Sequence, residues 1–440
     1  MRRIALVVIM AALPFFAFAQ FSYDERLADA MNRAEWFELE EIYNGTPKDS
    51  ISEFMEIYSR CLIGNRLNRP DVSIPAFTEL FNTQSQILDV GNLTSSAIMF
   101  AMDLSRVGEN EQAGKLVTSV MEAVETYLDT ASLDLLKQFA DCYSAFSAYS
   151  PYKIEFEDNL SGVIPFRIER AGPEEKQSVL LHLENSTING IEANITFDTG
   201  AGVNVITDSL AAQYGLIPLD ATLTAKGLGY ETGHYAMAKE LKIGNITVYD
   251  VPFLVLSMSS NNAEADKYFS AFSITVGGEL MLQLKDLTFD FRNNEITVPT
   301  IAPSRSGEKP NMCFSSGMNF LAKTVIQDTP VTMCIDTGDA SYGYLGSQFF
   351  EQNEDYILHH STKDTIRRAG IGGVNIRESY STSDMKLTLG GNSVTVPVLD
   401  VIANNEGLLS GYENNLGIKS LMLFRKVRFN MVDFILTTYE

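Results

Sequence analysis

Histidine is scarce in this chain. His182, His234, His359 and His360 are the only four in 440 residues, and no His-Glu-x-x-His occurs. A zinc peptidase built on that motif is excluded. No Gly-x-Ser-x-Gly elbow is present either, which argues against an α/β-hydrolase. Cysteine is just as sparse: Cys61, Cys142, Cys313 and Cys334, with no Cys-x-x-Cys to suggest a zinc or redox motif. Basic residues are outnumbered 33 to 56, for a formal net charge of −23. Such a surface disfavours nucleic acid and anionic membrane as partners. Beyond residue 19 no apolar run is long enough for a stable membrane span. Trp36, the single tryptophan, reads as helix packing.

What is present begins with an expected secretory signal at residues 1–19. Arg2 and Arg3 form its basic start, Ile4 to Phe18 its apolar run, and Ala17-Phe18-Ala19 its small-residue cleavage site. Export to a periplasm or the extracellular space follows. An exported chain could pair Cys61 with Cys142 and Cys313 with Cys334, or keep four buried thiols.

Residues 20–150 read as an all-α domain. Apolar residues recur at helical spacing, as in Phe54, Ile57, Tyr58, Cys61 and Leu62, or Leu116, Val120, Ala123, Val124 and Tyr127. Breaks are expected at Gly45-Thr46-Pro47, Asn68-Arg69-Pro70, Gly91-Asn92 and Gly108-Glu109-Asn110. Segments beginning near Trp36, Ala76 and Ala113 loosely resemble tetratricopeptide-type helix pairs. Such pairs could bind a peptide or a partner protein; a spacer or an inhibitory prosegment removed near Ser150-Pro151 fits the same pattern.

After Ser150-Pro151 the period changes from helical to alternating, as in Lys153 to Glu157, and short strands follow to the end. A polar stretch, Pro303 to Pro310, divides this β part into residues 151–302 and 303–440. The two halves repeat. Phe197-Asp198-Thr199-Gly200 returns as Ile335-Asp336-Thr337-Gly338, Val251-Pro252-Phe253-Leu254 as Val396-Pro397-Val398-Leu399, and Val276-Gly277 as Leu416-Gly417. Leu287-Thr288-Phe289-Asp290-Phe291 returns as Val427-Arg428-Phe429-Asn430-Met431. A duplicated lobe sets equivalent residues on either side of a pseudo-twofold axis, and those near the axis meet. Two carboxylates on equivalent glycine turns would then share one site and one proton, because adjacent like charges cannot both ionise cheaply.

Phe197-Asp198-Thr199-Gly200-Ala201 with Val205-Ile206, and Ile335-Asp336-Thr337-Gly338 with Tyr344-Leu345, resemble the aspartic peptidases of the pepsin and retroviral-protease clan. The resemblance runs over roughly residues 175–440 and gains specificity because the motif set occurs twice. It implies a mainly β, bilobal acid-protease fold, with Asp198 and Asp336 catalytic. Thr199, Gly200, Ala201, Thr337 and Gly338 would support the catalytic loops, the threonine hydroxyls tying them together across the axis. Flap tips that cover substrate are implied at Gly227, Gly229 and Tyr230 in one half and at Gly370, Gly372 and Gly373 in the other, as in the retroviral type. No metal and no cofactor is implied. One departure stands out: Asp339 follows the second motif where the family usually has Ala, Ser or Thr. Either it is an insertion, with Ala340 in the usual place, or a third carboxylate stands beside the pair.

The expected activity is that of an aspartic endopeptidase acting on extended polypeptides. The other reading is a protease-fold protein, impaired by Asp339, that binds peptides or partner proteins without cutting them.

Overall fold

The computed structural model describes residues 23–157, 161–172, 177–227, 229–257, 270–370, 373–404 and 413–440. The segment expected as a signal lies outside them. The chain divides into two compact units, Met1–Ala140 and Asp141–Glu440.

In the first unit the helices come as hairpins. Residues 23–32 precede Trp36–Gly45, Glu53–Arg66 precedes Pro70–Thr83, and Val90–Arg106 precedes Asn110–Val124. Thr130–Phe146 then runs into the second unit. Each hairpin turns on a residue of positive φ: Ala34 at 56°, Asn68 at 54° and Gly108 at 87°. A left-handed residue frees the next backbone groups from the helix and ends it. Two segments start earlier than their apolar pattern suggests, at Pro70 and Asn110 rather than near Ala76 and Ala113. Gly91-Asn92 is the first turn of a helix rather than a break. Asp89 caps that helix by accepting the Asn92 backbone N–H at 2.8 Å, and the gap falls just before it. Trp36 is buried in this unit, with the Arg66 guanidinium 5.1 Å from its ring centroid.

The second unit holds two β lobes with one topology. In the first lobe Ile195–Phe197 lies parallel to Ile274–Val276, which runs antiparallel to Val205–Thr207, which lies parallel to Ile246–Leu256. In the second, Thr329–Asp336, Asn415–Gly417, Gly343–Leu345 and Asn392–Val401 repeat the same series of pairings. Each lobe also carries a long hairpin: Ile217–Lys226 with Tyr230–Ile243, and Ser361–Gly370 with Gly373–Leu389. Asn189 and Gly190 form a tight turn before the first motif, both at positive φ (51° and 79°), as a two-residue hairpin loop requires.

The lobes join in a shared sheet. Asp286–Asp290 of the first pairs antiparallel with Lys426–Asn430 of the second, Thr288 opposite Arg428. Leu287 then faces Phe429, and Phe289 faces Val427. Sequence equivalents therefore straddle one axis through the Thr288–Arg428 pair. Phe289 packs on Phe429 and on Phe197 with ring centroids 5.5 Å apart in both cases, so apolar core underlies the first motif from both lobes. Full burial of each such ring is worth about 1.5–3 kcal/mol. Asp286 and Asp290, both buried, are neutralised from the opposite lobe. Arg428 donates two bonds to Asp286 at 2.9 and 2.7 Å, and Lys426 lies 2.8 Å from Asp290.

None of the four cysteines is in a disulfide, and all are buried. Cys313 and Cys334 both lie opposite Leu321, one on each side of its strand. Two strand spacings, about 9–10 Å, are beyond disulfide reach. Among the described residues no helix is long and apolar enough to cross a membrane.

Candidate active site

Each motif is the end of a short buried strand that stops in a glycine turn. Asp198 continues Ile195–Phe197, and its backbone N–H donates to the Val276 carbonyl at 2.9 Å. Asp336 closes Thr329–Asp336 and sits opposite Gly417. The parallel strand in each lobe thus cradles the turn, and it is the strand that carries the hydrophobic-glycine pair.

The two turns grip one another through four reciprocal hydrogen bonds. Thr199 Oγ1 donates to the Ile335 carbonyl at 2.6 Å and accepts from the Thr337 N–H at 3.0 Å. Thr337 Oγ1 donates to the Phe197 carbonyl at 2.8 Å and accepts from the Thr199 N–H at 3.0 Å. Both threonines are buried, so every one of these groups would otherwise lack a partner. Asn319 adds a fifth tie, donating across the lobes to the Gly200 carbonyl at 2.5 Å.

The grip brings the carboxyls face to face. The Gly200 N–H donates to Asp198 Oδ1 at 2.8 Å, and the Gly338 N–H to Asp336 Oδ1 at 2.9 Å. A Cβ on Gly200 would overlap the Asp336 carboxyl, and one on Gly338 would overlap that of Asp198. Neither glycine has positive φ; what each requires is space for the opposite carboxyl. Each carboxyl thus lies against the glycine of the opposite turn. Burial raises both above the usual carboxylate range. For Asp336 burial is the first cause, followed by the charges of Asp198 and Asp339. The pair can therefore hold one proton between its two carboxyls.

Asp339 stands beside this pair. Its backbone N–H donates to Asp336 Oδ1 at 3.0 Å, and its own carboxylate accepts Ser341 N–H and Oγ at 2.9 and 2.6 Å. Asn415 Nδ2 donates both to Asp336 Oδ2 (3.1 Å) and to Asp339 Oδ2 (2.7 Å). Of the two expectations for Asp339, the third carboxylate is the one observed. Ala340 instead packs against Leu180 and Phe272. Ala201, the first-lobe equivalent of Asp339, accepts the Gly278 N–H through its carbonyl at 2.8 Å.

Gly227, Gly229 and Tyr230 lie at the tip of the first long hairpin, where the Gly227 N–H donates to the Gly229 carbonyl at 2.9 Å and Tyr230 is exposed. Gly370 and Gly373 pair across the tip of the second; Gly372 lies outside the described residues. His359 and His360 end an exposed helix, Glu354–His360, away from these loops in sequence and in pairing.

The sequence reading missed Asn415, although it immediately precedes Leu416-Gly417. It also missed a half-buried chain of hydrogen bonds next to the first loop. Glu279 accepts a hydrogen bond from Tyr152 Oη at 2.6 Å, Tyr152 Oη accepts from Asn204 Nδ2 at 3.0 Å, and Asn204 Oδ1 accepts the Gly277 N–H at 3.1 Å. Burial pushes the Glu279 carboxyl up to about 7.

A family model described as "Aspartyl protease" matches residues 185–267. Among solved structures, the EIAV protease complexed with the inhibitor HBY-793 is similar at 19% identity, over 27% of this chain and 91% of that one. Its TM-score of 0.17 is too low to define a shared fold by superposition. No curated protein matches the chain. The family match lies within the first lobe of the second unit, and the likeness to aspartyl proteases is that of this segment.

Proposed function

We propose that the chain is an aspartic endopeptidase in which Asp198 and Asp336 activate one water between them. Asp198, ionised, takes a proton from the water as it attacks the scissile carbonyl. Asp336, protonated, gives its proton to the developing oxyanion, and a proton then passes to the leaving amine. The substrate is an extended polypeptide, held by strand-like pairing beneath the hairpin tips that carry Gly227, Gly229 and Tyr230 in one lobe and Gly370 and Gly373 in the other. The observation that supports the reading is the reciprocal threonine grip, which holds the two motif turns against each other.

The test is cleavage of an unfolded protein by the full chain from pH 3 to 8, beside Asp198→Asn and Asp336→Asn. Each variant is expected to lose roughly 10²–10⁴-fold in rate while keeping its far-UV spectrum. A folded wild type that cuts nothing at any pH sinks the enzyme reading. The contact of Asp339 with the pair through Asn415 favours a second reading, a peptide-binding protein with an impaired pair. That reading is supported if the folded chain binds the unfolded substrate but leaves it intact.

A further inference from the structure

The two lobes differ at two positions that, in the second lobe, bond the Asp336 carboxyl. Ala201 of the first lobe corresponds to Asp339 of the second, and Thr275 to Asn415. Thr275 turns away and donates to the Phe272 carbonyl at 3.0 Å. Asn415, fully buried, turns toward the pair and divides its two N–H bonds between Asp336 and Asp339. Among the described residues its own Oδ1 has no hydrogen-bond partner. The two carboxylates hold this buried amide by its Nδ2.

We propose that Asn415 and Asp339 are positioning residues that assign the roles within the pair, holding Asp336 as the acid and leaving Asp198 as the base. This rests on the protease reading for its chemistry, but its content is where the proton sits. A symmetric pair has no preferred proton position. Here Asp339 sets a negative charge on the Asp336 side alone, which favours the neutral acid there. Asn415 then holds that acid by its Oδ2 and keeps the two carboxyls from separating. Because the acceptor oxygens share one nitrogen, they lie less than about 6 Å apart, close enough for a Coulomb effect of about one pH unit.

The other titratable and charged groups around this cluster are few. Lys419, from the helix Ile418–Leu421, lies near Asp339 but donates to the Gln177 carbonyl at 3.2 Å and sits 4.4 Å from the Tyr342 ring centroid. Asp400, on Asn392–Val401, feels Asp339 as a further like charge and accepts Ser381 Oγ at 3.0 Å. Tyr344 is buried beneath Arg368, whose guanidinium is 4.0 Å from its ring centroid. None of them bonds Asp336.

The test uses the full chain with two readouts, the pH profile of kcat/KM and the titration of ¹³C-labelled aspartate carboxyls in the free protein, with the pair assigned from Asp336→Asn. Asp339→Asn keeps shape and removes charge. It should move the upper limb and the higher carboxyl titration down by about one pH unit. Asn415→Thr should lower kcat about tenfold with KM nearly unchanged. Adding Asp339→Ala to it, which copies the first lobe, should restore most of that loss; a merely structural role would make the losses add. Unmoved carboxyl titration in a folded Asp339→Asn protein overturns the inference even if the wild type cleaves. If the wild type never cleaves but the titration moves, the protease reading falls and the proton assignment stands.

Discussion

Replacing Thr337 by Val tests whether the grip between the two loops is held by hydroxyls or only by packing. Valine keeps the shape and exchanges the hydroxyl for a methyl. Two buried backbone groups then lose their partners: the Phe197 carbonyl, bonded at 2.8 Å, and the Thr199 N–H, bonded at 3.0 Å. Leaving a buried polar group unsatisfied costs about 1–3 kcal/mol, so the pair should cost about 3–4 kcal/mol. Thr337→Ser keeps both bonds and loses one buried methyl, at about 1 kcal/mol. For a unit of this size that difference lowers the melting temperature of Thr337→Val by roughly 3–5 °C relative to Thr337→Ser. Trp36 lies in the helical unit, so its emission does not report on the grip, and far-UV circular dichroism is the better probe. The bonds are reciprocal, so Thr199→Val should match Thr337→Val. Serine as damaging as valine, or unequal valine variants, would refute the reasoning.

Two further outcomes follow from the same geometry. Gly338→Ala should fold, since its backbone needs no left-handed conformation, yet lose at least about 100-fold in kcat/KM because the new methyl displaces the Asp198 carboxyl; retained activity would place the carboxyls further apart. Glu279, raised by burial to about 7, binds a proton in the folded state that the unfolded chain releases near its ordinary value. Stability should therefore fall as pH rises from about 4.5 and level off above about 7, by on the order of 1–2 kcal/mol for a partly exposed residue, and Glu279→Gln should flatten that slope in urea midpoints taken at pH 5, 6, 7 and 8.

The repeat made the core of the site legible. Two strand-to-glycine turns, each followed by a hydrophobic-glycine pair, were enough to expect the carboxyls to meet, and the reciprocal threonines do hold the loops together. The axis itself was also written in the chain, since Leu287 to Phe291 and Val427 to Met431 recur as equivalents and then pair with one another about Thr288 and Arg428. What stayed hidden depends on side-chain direction. Asn415 and Thr275 occupy equivalent positions, yet one turns to the carboxyls and the other to a carbonyl. Glu279 gives no periodic signal, because one half-buried carboxyl in the first turn of a short helix reads like any exposed one. The helix at Val90 was cut too late because Asp89, its cap, lies outside the apolar pattern that marks helices.

Joining both lobes in one chain has a physical consequence at the axis. If the halves were identical, residues 286 and 290 of one lobe would face copies of each other across the shared sheet, aspartate against aspartate. The second lobe instead places Asn430 opposite Asp286 and Lys426 opposite Asp290, and Arg428 reaches Asp286 as well. Like-charge repulsion in a buried sheet is thereby replaced by charge pairing, which a homodimer of identical halves could not arrange. The same freedom operates at the turns above. There divergence removes no repulsion: Asp339 adds a carboxylate to one side only, and Asn415 binds it to Asp336. Divergence at the axis thus works in opposite directions at two depths. It neutralises charge where the lobes are joined and sets charge off-balance where the carboxyls meet, and only the second change bears on which of them holds the proton.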